Sequence, residues 1–258
     1  MFLFDEPIFQ KKQLLRVEML EQLRDYPRDF LKLHFQGYSD GIVCGCHITW
    51  NNGQLKIEPG ILYHNGKLYF MKEPYLMDCL VEDKVHYLKV RFLEEEYKEG
   101  KVESGTKIVL DTVKPDFSSE LELCRFRLQE GAKLRSRYRD FEDYATEYDT
   151  INRIYVPFAA YGQPTIWPEL LMQFAKEILE NDCDNIYDIN FSMNVMANEG
   201  RVSGKYIAVY LRTRLNEKVV REGNQNFYRG LKDILKLCKT GKASQTIYNN
   251  KSRSVILL

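Results

Sequence analysis

Charge of one sign is in no excess in this chain: 37 Lys and Arg balance 37 Asp and Glu, and the 258 residues are formally neutral. That excludes the generally basic coat of a protein covered in nucleic acid. Long apolar runs are missing as well, and none approaches the ~18 residues that a membrane-spanning helix needs. The first seven residues carry Asp5 and Glu6 and lack the basic and apolar regions of an export signal, so a cytoplasmic location is expected. Signatures of catalysis are absent too. There is no G-x-S-x-G, no H-E-x-x-H and no calcium loop. Gly200 to Lys205 reads G-R-V-S-G-K, one residue short of a phosphate loop, with Tyr206 where the magnesium-binding hydroxyl should stand. Lys239-Thr240-Gly241-Lys242 lacks the upstream glycine. Both read as turns. Histidines number four, and none has a motif partner to act with as a base. The run Glu94 to Glu96 reads as a solvated charge run. The expectation is a protein that is not an enzyme and holds no cofactor.

The six cysteines mostly sit within apolar patterns and, with no export signal, are expected as reduced thiols. Cys44-Gly45-Cys46-His47 is the one metal-like spacing. On a strand, Cys44 and Cys46 share a face that His47 does not, and no second ligand pair follows. No metal is expected, although the spacing leaves open whether Cys44, Cys46 and His47 bind one.

What the chain has is 44% hydrophobic residues beside 29% charged ones, the balance of a soluble globular protein. Its 17 Tyr and 14 Phe lean toward β-structure and interfaces. Leu14, Leu15, Met19 and Leu23, with Val17 and Leu20, recur at a helical period. Asp25-Tyr26-Pro27 is expected to break that helix, with a second short one running to about Phe35. From Tyr38 the signals turn to strands. Ile42 to Trp50 forms one run, Leu55 to Ile57 the next, and Ile61 to His64 and Leu68 to Met71 flank Asn65-Gly66, a two-residue hairpin signal. His86 to Phe92 alternates, Glu94 to Lys101 reads as a charged loop or hairpin tip, and Lys107 to Thr112 can pair back. The apolar phase slips at Cys124, which predicts a bulge or a strand that changes sheet.

Beyond residue 150, Ile154 to Tyr161 reads as an extended lead-in. Pro168 opens a helix with Leu171, Phe174, Ala175 and Ile178 on its inner face. Ile189 to Val195 alternates as a strand, and Tyr206 to Leu211 is its expected partner. Asn224 or Asn226 can cap a last helix with Phe227, Leu231, Ile234, Leu235 and Cys238 as its stripe, stopped by Gly241. Val255 to Leu258 is an apolar terminal strand. The expected fold class is α+β. A helical segment spans residues 1–37, an antiparallel β-sandwich or meander 38–128, a charged linker or arm 129–150, and a smaller α+β domain 151–258.

The stretch Tyr38-Ser39-Asp40-Gly41-Ile42-Val43-Cys44-Gly45, followed by Leu55-Lys56-Ile57-Glu58-Pro59-Gly60-Ile61-Leu62-Tyr63-His64-Asn65-Gly66-Lys67, resembles a β-module of bacteriophage tail and baseplate proteins and of related contractile injection systems. That module reads as an s-D-G-I-v-x-G turn, a strand, and v-x-P-G-x-a-y-x-n-G-k. The match covers about thirty residues. It implies a structural component of a tail or baseplate that joins copies of itself and neighbouring tail proteins within a virion or phage-like particle. The glycines would shape the module rather than bind a ligand.

Two charged features are candidates for contact. Arg135, Arg137 and Arg139 recur at period two in the arm. On an extended chain their guanidiniums share one side and suit carboxylates on a partner, and the segment has too few aliphatic residues to bury itself. Residues 201–258 hold 13 Lys and Arg against 3 Asp and Glu. Within them Arg229, Lys232, Lys236 and Lys239 stand on one helix face, which makes an accessory protein that binds nucleic acid the alternative reading.

Overall fold

The computed structural model describes residues 4, 6–51, 53–79, 82–181, 183–216 and 223–240. Gly241 and the expected strand at Val255–Leu258 lie outside them. The class is α+β, as expected. Among the described residues one α-helix, α1 (Val17–His34), precedes nine strands, a short 3-10 turn at Glu142–Ala145 and four further α-helices.

α1 is continuous through Pro27, where two helices were expected. Pro27 removes the hydrogen bond to the Leu23 carbonyl, yet its fixed φ is itself helical, and the turn survives in solvent.

Nine antiparallel strands form three three-stranded sheets. The first is β1 (Gly41–Gly45), β4 (Gly60–His64) and β5 (Lys67–Met71). The second is β2 (Ile48–Asn51), β3 (Gln54–Ile57) and β6 (Tyr75–Asp78). The run Ile42 to Trp50 is therefore two strands in two sheets. Gly45 and Cys46 adopt φ of 70° and 55°, and this left-handed pair turns the chain between them. Asn65 and Gly66 have φ of 48° and 76°, the two positive values that a type I′ hairpin requires.

The third sheet holds β8 (Lys101–Asp111), β7 (Val85–Lys98) and β9 (Glu120–Arg127). The charged stretch 94–101 is strand up to a two-residue tip at Glu99-Gly100. The slip near Cys124 is a bulge: Leu88 faces Cys124 and Lys89 faces Glu122, so Leu123 is the extra residue.

α2 (Pro168–Glu180), α3 (Ile186–Ala197), α4 (Gly204–Leu215) and α5 (Asn224–Lys239) follow among the described residues. α3 and α4 replace the strand pair expected at Ile189–Val195 and Tyr206–Leu211. Asn185 accepts from the Tyr187 amide at 3.0 Å and Ser203 from the Tyr206 amide at 3.2 Å, so both ends are capped as helices. The buried positions of α3 are Asp188, Phe191, Ser192 and Val195, a helical spacing hidden from a hydrophobic count because two of them are polar. The cap of α5 is Gly223, and the Asn224 side chain donates to the Val156 carbonyl at 2.6 Å.

The segment 129–150 is no loose tether. Leu134, Phe141 and Tyr144 are buried in one hydrophobic core with β9, α2 and α5. The Phe141 amide donates to Glu177 at 2.6 Å, and the Tyr228 hydroxyl donates to the Phe141 carbonyl at 3.1 Å. Aromatic rings supply the burial that aliphatic residues do not.

Candidate assembly interface

The turns that carry the motif are positioned by close backbone approach. A Cβ on Gly45 would lie 2.1 Å from the Pro59 carbonyl oxygen, and one on Gly60 would lie 2.3 Å from the Cys46 Sγ. Both positions admit only glycine without movement of backbone. Asp40 ties the β4–β5 hairpin to the start of β1. It accepts from the Asn65 amide at 3.0 Å and pairs with His64 Nδ1 at 2.8 Å, while His64 Nε2 faces the Asn65 side-chain amide at 3.0 Å. The His64 ring stacks on Phe92 at 3.8 Å between centroids, which joins this sheet to β7.

Asp40, His64 and Glu120 line a cleft of about 640 Å³ with Ser39, Tyr155 and Asn224. Its carboxylates are already engaged. Burial raises the Glu120 pKa, but hydrogen bonds from Lys89 and Arg91 outweigh that and hold it below the ordinary glutamate range. Lys89 lies 3.0 Å from Glu120 and 3.2 Å from Asp111, and Arg91 lies 2.7 Å from Glu120. An ionised Glu120 held by Lys89, Arg91 and the Asp116 amide at 3.1 Å is unsuited to act as a general acid. Both nitrogens of His64 are occupied in the same way.

Cys44, Cys46 and His47 do not converge. Cys46 is buried, and burial pushes its thiol up to about 11. His47 turns outward and pairs with Glu169 at 3.2 Å. Among the described residues no three His, Cys, Asp or Glu side chains are grouped to hold a metal.

The arginines at period two are separated by the fold. Arg135 turns inward and forks onto Asp143, with one guanidinium nitrogen 2.7 Å from Oδ1 and a further bond to Thr150. These bonds hold Asp143 well below the ordinary carboxylate range. Arg137 is exposed, and the Arg139 side chain is 82% exposed. The expected shared row of three is thus broken: Asp143 captures Arg135, and Arg139 Nε lies 3.8 Å from the same carboxylate. On α5, Lys232 pairs with Glu142 at 3.3 Å and Lys239 with Glu177 at 2.9 Å. Arg229 and Lys236 remain turned to solvent.

What sequence reasoning missed about α1 is the exposure of its stripe. No residue of this helix is buried. Leu23, Tyr26, Phe30 and Leu33 are 51%, 64%, 58% and 69% exposed, and Val17 and Leu20 are open as well. Its opposite side pairs with itself through Arg24 with Glu21 and Asp25, and Arg28 with Asp25 and Asp29. The helical period marks the stripe, but period alone does not say whether the chain covers it.

No family model matches the chain, and no curated protein is similar to it. Two solved structures share a partial likeness of fold. One, described as "Crystal structure of TssK", gives a TM-score of 0.39 at 8% identity over 95% of this chain and 71% of that one. The other is described as the "Structure of the type VI secretion system TssK-TssF-TssG baseplate subcomplex". It gives 0.39 at 10% identity over 91% of this chain and 100% of that one.

Proposed function

We propose that this chain is a structural, non-enzymatic component of a baseplate in a contractile injection system or phage-like tail, where it mediates protein–protein assembly. The observation that carries the assembly role is the bare apolar face of α1. An amphipathic helix without a buried residue leaves its hydrophobic side in water, which a chain acting alone does not need. The β-module, with its turns built on Asp40, Gly45, Gly60 and Asn65-Gly66, supplies the class of assembly.

In the coding neighbourhood, genes for sheath, tube and spike proteins are expected beside this one. Co-expression with their products should give a complex that survives size-exclusion chromatography. A chain that joins none of them refutes the reading. The same preparation, titrated at low salt with single- and double-stranded DNA and RNA, decides the alternative. Binding that weakens steeply with salt would transfer the function to Arg229 and Lys236 and their neighbours.

A further inference from the structure

Met19, Leu23, Tyr26, Phe30 and Leu33 recur at steps of four, three, four and three. At 100° per residue they fall within a stripe about 80° wide. This is the 3.5-residue repeat of a seam between two helices, narrower than the face a helix lays on a sheet. Leu23 and Phe30 occupy one set of seam positions, and Met19, Tyr26 and Leu33 the other. Met19 is half-buried beside the segment Phe9 to Leu15, and the other four are open.

We propose that α1 is a self-association helix, and that its occupant is α1 of a second copy of this chain, packed in parallel. The proposal rests on the assembly reading above and names its first partner.

Three observations favour a second copy. The first is area. The seam side chains and the flanking Leu20 expose roughly 600 Å², about what one partner contributes to the smaller specific interfaces. The second is the flank. In a parallel pair, positions five apart face each other across the seam. Gln22 then meets Pro27, and Asp29 meets His34, so no like charges are opposed. The third is the polar side. It carries Glu18, Glu21, Asp25 and Asp29 against Arg24, Arg28 and Lys32. Helices that lie on anionic lipid are rich in Lys and Arg there, so a membrane surface is disfavoured.

The test uses the full chain alone, in sedimentation equilibrium and light scattering. Wild-type protein at ~50 µM should show the mass of two or more chains and dissociate on dilution. The double variant Leu23→Glu/Phe30→Glu should raise the dissociation constant at least about tenfold. Its circular dichroism should not change and its melting temperature should equal that of wild type diluted to the monomer, because neither side chain is buried in the single chain. Glu18→Gln, on the polar side, should associate as wild type does. A monomeric wild type overturns the proposal, and so does an oligomer that survives the double variant. Flotation of monomeric wild type with phosphatidylcholine/phosphatidylglycerol vesicles, lost in the double variant, would reassign the face to lipid. Self-association is read without other components, whereas the assembly reading is tested with co-expressed neighbours, so either can fail while the other stands.

Discussion

Asp188 and Arg214 make the most demanding test of how the helical part is held. Asp188 is fully buried on α3 and Arg214 nearly so on α4, with the guanidinium Nε at 2.9 and 3.0 Å from the two carboxylate oxygens. The Tyr210 hydroxyl donates to the same carboxylate at 2.9 Å. Beside it, the Phe191 ring stacks on Tyr210 at 3.9 Å. Asp188→Asn removes the charge and little volume, which strands the guanidinium in the core. Breaking a buried pair from one side costs about 3–5 kcal/mol, because the remaining charge has no water to return to. For a chain of this size each kcal/mol lowers the melting temperature by about 2–4 °C, so the expected fall is about 6–20 °C. The double variant Asp188→Leu/Arg214→Met, which removes both charges, should recover most of that loss. Thermal melts followed by circular dichroism, with urea titrations for the free energy, measure both. A loss below about 1 kcal/mol for Asp188→Asn alone would refute the reasoning, since it would show that water or another group already solvates Arg214.

Gly45→Ala should destabilise the β-module by about 2 kcal/mol or more, from left-handed strain together with the contact on the Pro59 carbonyl; urea denaturation measures it. Arg137→Glu should weaken a co-expressed complex with no loss of melting temperature. Arg135→Glu should instead lower the melting temperature, because it places a carboxylate against Asp143; equal melting of the two variants would refute the division. Acid titration of stability should show Asp143. Its pKa is depressed in the folded chain, so its contribution is present above the unfolded value near 4 and is lost as pH falls below it. Asp143→Asn should flatten that acid limb, and an unchanged limb would contradict the pairing.

Local signals read correctly where the structure they describe is local. The Asn65-Gly66 hairpin, Pro168 at the first turn of α2, the stripe of α5 and the bulge beside Cys124 all follow from neighbouring residues alone. Reading failed where a distant partner decides the outcome. In α3 and α4, Asp188 and Arg214 occupy buried positions that a hydrophobic count scores as polar, so the remaining apolar residues mimic alternation. Each becomes tolerable inside only because the other is there, 26 residues away in sequence.

The candidate surfaces divide along the same line. The order of side chains along the chain dictates that α1 has an apolar stripe, that Asp40 and the module glycines stand at turns, and that arginines recur at 135, 137 and 139. It does not dictate which of these the folded chain uses up. Arg135 is taken by Asp143, Lys239 by Glu177, and the 129–150 segment is drawn in by Phe141 and Tyr144 against α2 and α5. Among the described residues the α1 stripe finds no such cover. Burial belongs to the tertiary arrangement, because whether a surface meets water depends on which other surfaces arrive there, and residues far apart in the chain supply them.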